Sequence, residues 1–374
     1  MTSKLNNRLL LEKLLESVSD EHDLFPRDVC YFTRYNEITN SLKQKVYKNV
    51  NAGLAANSKR SGLYTDHSEE HFDLVIRFAG IMLGLKTSDD VRNVADLVRS
   101  GKWILNAYEI YLLLLSIRFH DVGNIYGRDD HEKLISKVII DYKIPHLIDD
   151  SVENRQVCFI GGAHGGTTSN GSKDTIGSLP DTINSVGSIG GIRSKKIAAI
   201  TRFADEICEN RQRIGILVES GIPEHNLVFH KYAQSIVSNH VEGKILYIRL
   251  EVRKSDLLVF YKIYKEVAGV EVEDKVNLPD VIISRLKKLE LERRYCNRFL
   301  HGDAQIKEIS VHIIIVEDTE DEESFHPNVI DEIKFPLKER DYPLGEESII
   351  DTDAKYFMDY NRIVEEYGGR STDK

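Results

Sequence analysis

The chain has 374 residues and a formal net charge of −10, and 41% of its residues are hydrophobic. These values, with a mean hydropathy of −0.32, are typical of a folded protein and argue against disorder. The length allows one domain with a companion, and the acidic balance disfavours general affinity for duplex DNA, because such binding depends on Lys and Arg neutralising phosphates.

Residues 1–200 are predicted to be mostly helical, because apolar residues recur at intervals of three and four positions. The candidate helices are residues 37–50, 71–84, 107–121, 130–142, 152–162 and 194–211. Residues 161–192 interrupt them, since this segment is rich in Gly, Ser, Thr and Asn and is predicted to be a long loop. A loop of this length is typically functional or mobile, so we expect a lid over a site.

The pattern changes in the C-terminal part of the chain. Residues 244–253 alternate like a strand, and residues 309–317 have a composition typical of a strand. We expect helices at residues 255–267 and 279–299, and a terminal helix at residues 351–367. The predicted fold class is therefore mainly α, with a helical bundle and a smaller α+β C-terminal region.

The four cysteines are far apart and form no C-x-x-C pair. They predict neither a zinc ribbon nor a disulfide framework, so a reducing compartment is the simpler interpretation. The longest apolar run, around residues 111–115, is far too short to span a bilayer, and the N-terminus lacks an uninterrupted apolar signal segment. We therefore expect a cytoplasmic protein without a membrane partner.

The doublet His120-Asp121 ends an apolar helix in the segment LLLLSIRFHDVGN. It places an imidazole nitrogen and a carboxylate oxygen at the edge of a packed core, which is a suitable place for a metal ion. The alternative is a helix-end pair in which Asp121 accepts from the imidazole, because such doublets also occur by chance.

Further ligand-capable side chains lie where other predicted helices begin, end or pass, namely His71, His131, His164 and Asp205. Several helices could therefore converge on one centre, as in helical-bundle metal sites. Imidazole and carboxylate ligands suit Mn, Fe, Zn, Co or Ni, and Mg is also admitted. Ordinary roles stay open: a capped helix start at His131, an exposed loop histidine at His164, and a surface ion pair at Asp205.

The order H…HD…H…H…D over roughly residues 60–215 resembles the HD superfamily of metal-dependent phosphohydrolases. The local contexts match as well, with H-x-x-x-V at His71, Gly123 after the doublet, H-E-x-x-x-S at His131 and an A-D pair at Asp205. The resemblance implies three parts: an N-terminal helical extension, an HD phosphohydrolase domain and an α+β region, at residues 1–60, 61–215 and 216–374.

The resemblance also implies roles. One metal ion would be held by a minimal set, which is His71, His120, Asp121 and Asp205. His131 and His164 would add a second ion bridged by Asp121, or would contact phosphate. A metal ion at this centre would lower the pKa of a water molecule that attacks phosphorus.

One departure concerns positive charge. Many relatives carry Lys where this chain has Asn124, and Arg128 is the candidate replacement as a phosphate clamp, because a guanidinium presents a bidentate fork to phosphate oxygens. His67 precedes His71 by four positions, and we expect it to contact phosphate or to donate a proton to the leaving group. His131 is a further candidate for the catalytic step.

Lys195 and Lys196 begin the helix after the Gly-rich segment, where they would meet substrate phosphates or be ordinary solvated lysines. The leading hypothesis is hydrolysis of a phosphoester or phosphoanhydride of a nucleotide, with a deoxynucleoside triphosphate triphosphohydrolase as the best guess. The alternatives within the family are a cyclic mononucleotide or dinucleotide phosphodiesterase and a single-strand nuclease. A di-iron oxygenase of the same fold and a non-catalytic nucleotide sensor are alternatives of other classes. The partner is a phosphorylated small molecule, nucleic acid is not favoured, and the oligomeric state is left open.

Overall fold

A computed structural model describes residues 9–51, 69–184, 190–209, 223–267, 270–317, 328–338 and 360–368. The chain divides into two compact units. The first contains the described residues within 1–58, 66–208 and 295–305, and the second contains those within 209–294 and 306–374. The domain boundaries expected after residues 60 and 215 stay predictions, because compactness alone does not test them.

The first unit is helical. Its helices are α1 (Leu10–Val18), α2 (Tyr31–Leu42), α3 (Glu69–Met82), α4 (Ser88–Arg99), α5 (Ala107–Phe119), α6 (Ile135–Asp141), α7 (Ser151–Gly162) and α8 (Ser194–Ile207). A π-helical turn, Lys43–Tyr47, continues α2, and the short 3₁₀ turns Val122–Tyr126 and His131–Lys133 separate α5 from α6.

Helix α5 lies at the centre of this unit, because every one of its residues is buried. It begins at Asn106, whose side chain accepts from the Glu109 backbone N–H at 2.8 Å while the Glu109 carboxylate accepts from the Asn106 N–H at 3.0 Å. This capping box fixes where the helix starts. The other end of α5 delivers His120 and Asp121 into the interior.

A buried arginine ties neighbouring helices to α5. Arg118 Nη1 lies 2.6 Å from Asp73 Oδ1 on α3, and Nη2 lies 2.8 Å from Glu12 Oε1 on α1. Its Nε also donates to the Tyr35 hydroxyl on α2 at 2.9 Å. Asp73 and Arg118 each lie two residues from a ligand-capable histidine, so this network fixes α3 and α5 close to those side chains.

The C-terminal part contains helices and strands. The helices are α9 (Leu227–Ser235), α10 (Lys254–Leu257), α11 (Leu278–Asn297) and α12 (Tyr360–Tyr367). The strands are β1 (Ile236–Glu242), β2 (Ile245–Arg253), β3 (Phe260–Val267), β4 (Val270–Asn277), β5 (Glu308–Val316) and β6 (Val329–Lys338). One sheet has the order β1-β2-β5-β6, in which β2 and β5 are parallel and the outer pairs are antiparallel; β3 and β4 form a separate hairpin.

The predicted fold class is confirmed: a helical part is followed by a smaller α+β part. The strands expected at 244–253 and 309–317 correspond to β2 and β5, and the helix expected at 279–299 corresponds to α11. Between α7 and α8, the described residues form turns, bends and one isolated bridge between Ile183 and Ile192, as a loop requires. No membrane-spanning candidate is found among the helices of the described residues.

The helix predicted at residues 255–267 is wrong. Only α10 is helical there, and Phe260–Val267 is strand β3. Tyr261 and Ile263 are buried while their neighbours are more exposed, which is the alternation of a strand, and pairing with β4 stabilises it. The helix expected at 130–142 is also shorter, because Asp130 adopts a φ of 54° and only Ile135–Asp141 is α-helical.

We expect Arg118→Ala to lower the free energy of unfolding by about 3 kcal/mol, because it leaves buried carboxylate oxygens without their cation. Urea-induced loss of helical circular dichroism measures this change. The matched control is Arg92→Ala, since Arg92 is an exposed arginine on α4 that pairs with Asp89. Equal midpoints for the two variants would contradict the structural role of Arg118.

Candidate metal centre

Four side chains from three helical segments meet in a first cluster. The Nε2 atoms of His71 and His120 lie 3.2 Å apart. Asp121 Oδ2 is 3.6 Å from His71 Nε2 and 3.4 Å from His120 Nε2. Asp205 Oδ1, from the last turns of α8, is 3.4 Å and 3.5 Å from the same two nitrogens. The first cluster is thus a compact set of two nitrogen and two oxygen atoms.

A second cluster shares Asp121 with the first. Asp121 Oδ1 lies 2.9 Å from His131 Nε2 and 3.5 Å from His164 Nε2. The two imidazole nitrogens are themselves 3.3 Å apart. Each carboxylate oxygen of Asp121 therefore faces a different pair of histidines, and the two clusters meet at this residue.

The histidine rings are oriented by backbone carbonyls. The Nδ1 atoms of His120, His131 and His164 lie 2.8 Å, 2.9 Å and 2.8 Å from the carbonyl oxygens of the residues three positions earlier. A neutral ring that donates from Nδ1 carries its lone pair on Nε2, which is the arrangement of metal-bound histidines. In the second cluster the Nε2 atoms of His131 and His164 lie 3.3 Å apart. With both rings in this tautomer, a cation between them would accept both lone pairs.

The spacing of the first cluster fits one metal ion. Ligand atoms about 2.1 Å from a tetrahedral ion lie about 3.4 Å from one another. The five spacings that involve the His71 and His120 nitrogens, to each other and to the Asp121 and Asp205 oxygens, run from 3.2 to 3.6 Å. The second cluster offers three ligand atoms at similar spacings, which would leave coordination positions for other oxygen ligands. The imidazole and carboxylate donors suit several divalent transition metals.

The electrostatic field also favours a cation here. Burial lowers the pKa of His120, but the carboxylates of Asp121 and Asp205 outweigh that effect and raise it to about 10. Burial raises the pKa of Asp205, yet His120 and His71 hold it well below its usual range. The C-terminal end of α5 adds a partial negative charge at the same place. A positive charge is therefore stabilised at this centre.

Glycines allow the second cluster to form. A Cβ atom at Gly123 would lie 2.0 Å from the His131 carbonyl oxygen, and one at Gly162 would lie 2.9 Å from the Glu132 carbonyl oxygen. The backbone at residues 131–132 therefore lies between the segments that contain Gly123 and Gly162. Any residue larger than glycine at these two positions would prevent this close approach. This contact explains why glycine follows the His120-Asp121 doublet.

The comparison with protein families agrees with this geometry. The model of the HD-CE family matches residues 62–340, which is more than half of the chain. The chain belongs to the HD-CE family. Its domain is of the HD type, and the buried His and Asp groups that could hold a metal ion lie within the matched residues. No curated protein and no solved structure matches the chain.

The HD-CE match extends well beyond residue 215, where the resemblance seen in the sequence ends. The matched residues include α9 to α11 and all six strands, β1 to β6, as well as most of the helical unit. The family is therefore defined by more than the helices that carry the histidines.

The other predicted site residues have different surroundings. Arg128 is 53% exposed, and its Nη1 lies 4.0 Å from Asp121 Oδ1, so a cation lies beside the carboxylate that the two clusters share. Asn124, where many HD proteins have Lys, is fully buried, and its amide atoms have no hydrogen-bond partner among the described residues. His67 lies outside the described residues, and its role stays a prediction.

Lys195 and Lys196 were predicted to bind substrate. Within the described part of the chain, no contact places either lysine beside the two clusters. Lys195 Nζ pairs with Asp181 Oδ1 at 2.7 Å. Burial, followed by the nearby charge of Arg193, lowers the pKa of Lys196, and Glu109 opposes the shift. Glu109 is at the start of α5, whereas His120 follows its end. Their role in substrate binding stays a prediction.

Cys208 is a ligand-capable residue that the sequence patterns did not predict. Its Sγ lies 3.5 Å from His71 Nδ1 and 2.9 Å from the Asp205 carbonyl oxygen. Cys208 follows Asp205 by three positions, so helical spacing places both on one face, and the D-x-x-C pattern is the signal that identifies it. His71, Asp205 and Cys208 form a third group whose ligand atoms lie close enough for a metal ion.

We expect Asp121→Ala to reduce the metal bound at both clusters, because Asp121 contributes one oxygen to each. His131→Ala should affect only the second cluster and therefore leave more metal bound. Elemental analysis after loading with Mn, Fe or Zn measures both, and circular dichroism reports the fold. His146→Ala is the control, since His146 pairs with Glu37. Wild-type metal content in Asp121→Ala would refute the shared-ligand arrangement.

We also expect Gly123→Ala to lower the metal content, because its methyl group would push the His131 backbone away from the second cluster. The loss should resemble that of His131→Ala in the same elemental analysis. Gly165→Ala is the matched control, since a Cβ atom at Gly165 meets nothing within 4 Å. A Gly123→Ala protein with full metal content would show that the close approach is not required.

Proposed function

We propose that this HD-CE protein is a metal-dependent phosphohydrolase that cleaves a phosphoester or phosphoanhydride bond of a nucleotide-type substrate, with a deoxynucleoside triphosphate as the first choice. One observation carries the proposal: each oxygen of Asp121 faces its own pair of imidazole Nε2 atoms. This arrangement suits a pair of ions bridged by a carboxylate, which is a common design for phosphoryl chemistry. Membership of an HD-type family supports the same reaction class.

When bound, divalent ions would lower the pKa of a water molecule and neutralise phosphate charge. Hydrolysis then forms a bond from the water oxygen to phosphorus and breaks the bond to the leaving oxygen, which takes up a proton. The protein's part is to hold the centre in place and to limit access. The side chains of His71 and His120 are fully buried, whereas that of Asp205 is 26% exposed. Substrate would therefore reach the centre from the Asp205 side.

Arg128 would bind phosphate at the second cluster. Its guanidinium is largely exposed and lies 4.0 Å from Asp121. A planar guanidinium can contact phosphate oxygens in a bidentate manner. Arg128 would therefore supply the positive charge that many relatives carry on a lysine at position 124. His67 would serve as the acid that protonates the leaving oxygen. His131 and His164 would bind the second ion or contact the phosphate directly.

The test is a metal-supplemented turnover screen with product identification. Protein stripped with a chelator and reloaded with Mn, Fe, Zn, Co or Mg is incubated with deoxynucleoside triphosphates, nucleoside monophosphates, cyclic nucleotides and short single strands. We expect triphosphate release from a deoxynucleoside triphosphate, and loss of at least about a hundredfold in rate for Asp121→Ala, because general removal of metal-ion catalysis costs several kcal/mol. His146→Ala should retain the wild-type rate.

Other outcomes would replace the proposal. Release of one phosphate, or opening of a cyclic diester, would keep the reaction class and change the substrate. Oxygen consumption by the Fe-loaded protein without phosphate release would indicate an oxygenase built on the same ligands. Binding of a nucleotide without any turnover would indicate a sensor.

A further inference from the structure

The carboxylate of Glu132 is buried beside the second cluster. Only 7% of the residue is exposed, and its Oε2 atom lies 3.4 Å from Nδ1 of His131. Glu132 belongs to the H-E-x-x-x-S segment that contains His131, but the ligand set makes no use of it. A carboxylate taken out of water is costly unless a charged or hydrogen-bonding partner replaces the solvent, so its position needs a physical reason.

Comparison with the other buried acids shows what distinguishes Glu132. Outside the two clusters, the other buried carboxylates of the described residues each form an ion pair with an arginine; they belong to Glu109, Asp150, Glu153 and Glu290. Among the described residues, no lysine or arginine forms an ion pair with Glu132. Its partner is the ring of His131, which carries positive charge when it is protonated or bound to a cation. A cation in the second cluster would therefore compensate the buried charge of Glu132.

Two oxygen atoms hold the proton of His131 on Nδ1. The Arg128 carbonyl oxygen accepts the hydrogen bond from Nδ1 at 2.9 Å, and the Glu132 carboxylate lies beside it at 3.4 Å. Neither a carbonyl nor an ionised carboxylate can donate, so the lone pair of the ring is left on Nε2, the atom that faces Asp121 and His164. A carboxylate behind a metal-bound imidazole also makes the imidazole a stronger donor to the metal.

The loop around His164 holds this carboxylate in place. Gly166 packs so closely against Glu132 that a Cβ atom at position 166 would lie 1.9 Å from Glu132 Oε1. Gly166 also adopts a φ of 68°, a conformation that glycine allows at no steric cost. The same loop carries His164, the other histidine of the second cluster. The position of the carboxylate and the positions of both rings are therefore set by one set of contacts.

We propose that Glu132 is a positioning residue of the second cluster: its carboxylate fixes the His131 ring for metal binding, and its negative charge raises the affinity of that cluster for a divalent cation. The carboxylate faces Nδ1 whereas the ion would face Nε2, so Glu132 strengthens binding without filling a coordination position. The proposal rests on the two-ion centre of the proposed function, but it requires no particular substrate or reaction.

Titration calorimetry of the metal-stripped protein with Mn²⁺ tests this role without requiring turnover. We expect two binding steps in the wild type, and the step that His131→Ala abolishes identifies the second cluster. Glu132→Gln keeps the size of the side chain and removes its charge. It should weaken that step by about ten- to a hundredfold, the usual effect of losing the partner of a metal-bound histidine, and should leave the other step unchanged.

A second pair of variants displaces the carboxylate instead of neutralising it. Gly166→Ala would place a methyl group against Glu132 Oε1 and should weaken the same Mn²⁺ step. Gly171→Ala is the matched control, because Gly171 lies in the same loop with a φ of 80° and a Cβ atom there would meet nothing within 4 Å. Circular dichroism verifies that every variant keeps the helical fold.

The proposal is overturned if Glu132→Gln binds both Mn²⁺ ions like the wild type, or if Gly166→Ala is indistinguishable from Gly171→Ala. A wild type that binds a single Mn²⁺ ion overturns it as well, together with the two-ion part of the proposed function. Glu132-dependent binding of the second ion without any turnover would support the proposal and refute the hydrolase function alone.

Discussion

The helical unit depends on the burial of one carboxylate, that of Asp121, at the end of a fully buried helix. A carboxylate removed from water costs several kcal/mol unless charged or hydrogen-bonding partners replace the solvent. Here four imidazole nitrogens lie within 3.6 Å of its oxygens. These rings come from separate parts of the chain, so the elements that carry them must converge wherever α5 ends. The packing and the candidate metal centre are thus consequences of the same constraint.

Further features hold this arrangement in place. Arg118, two residues before the doublet, joins α5 to α1, α2 and α3 through ion pairs and a hydrogen bond. Gly123 and Gly162 let the backbone near His131 approach closely on both sides. The charged network fixes the helices of the first cluster, and the glycines fix the loop of the second.

Membership of the HD-CE family and the His and Asp groups together define a centre that could hold metal ions. The position of positive charge distinguishes this chain from the general HD pattern. Position 124 carries a buried, neutral Asn, whereas the largely exposed Arg128 lies beside Asp121. The positive charge that a phosphate would meet beside Asp121 is therefore that of Arg128, which is the basis for expecting a phosphorylated ligand.

The sequence by itself determined the mainly α fold class, because helical periodicity is a local pattern, and it identified the His and Asp residues of both clusters, because the H…HD…H…H…D order can be read along the chain. It did not determine that β3 is a strand, since a segment with aromatic and charged residues takes its conformation from its partner, β4. Only the tertiary structure decided that each oxygen of Asp121 serves a different histidine pair, that Cys208 adjoins His71, and that Gly166 packs against the Glu132 carboxylate. Those contacts join residues far apart in the chain, and their distances and directions are set by the packing of helices, which a linear pattern does not encode.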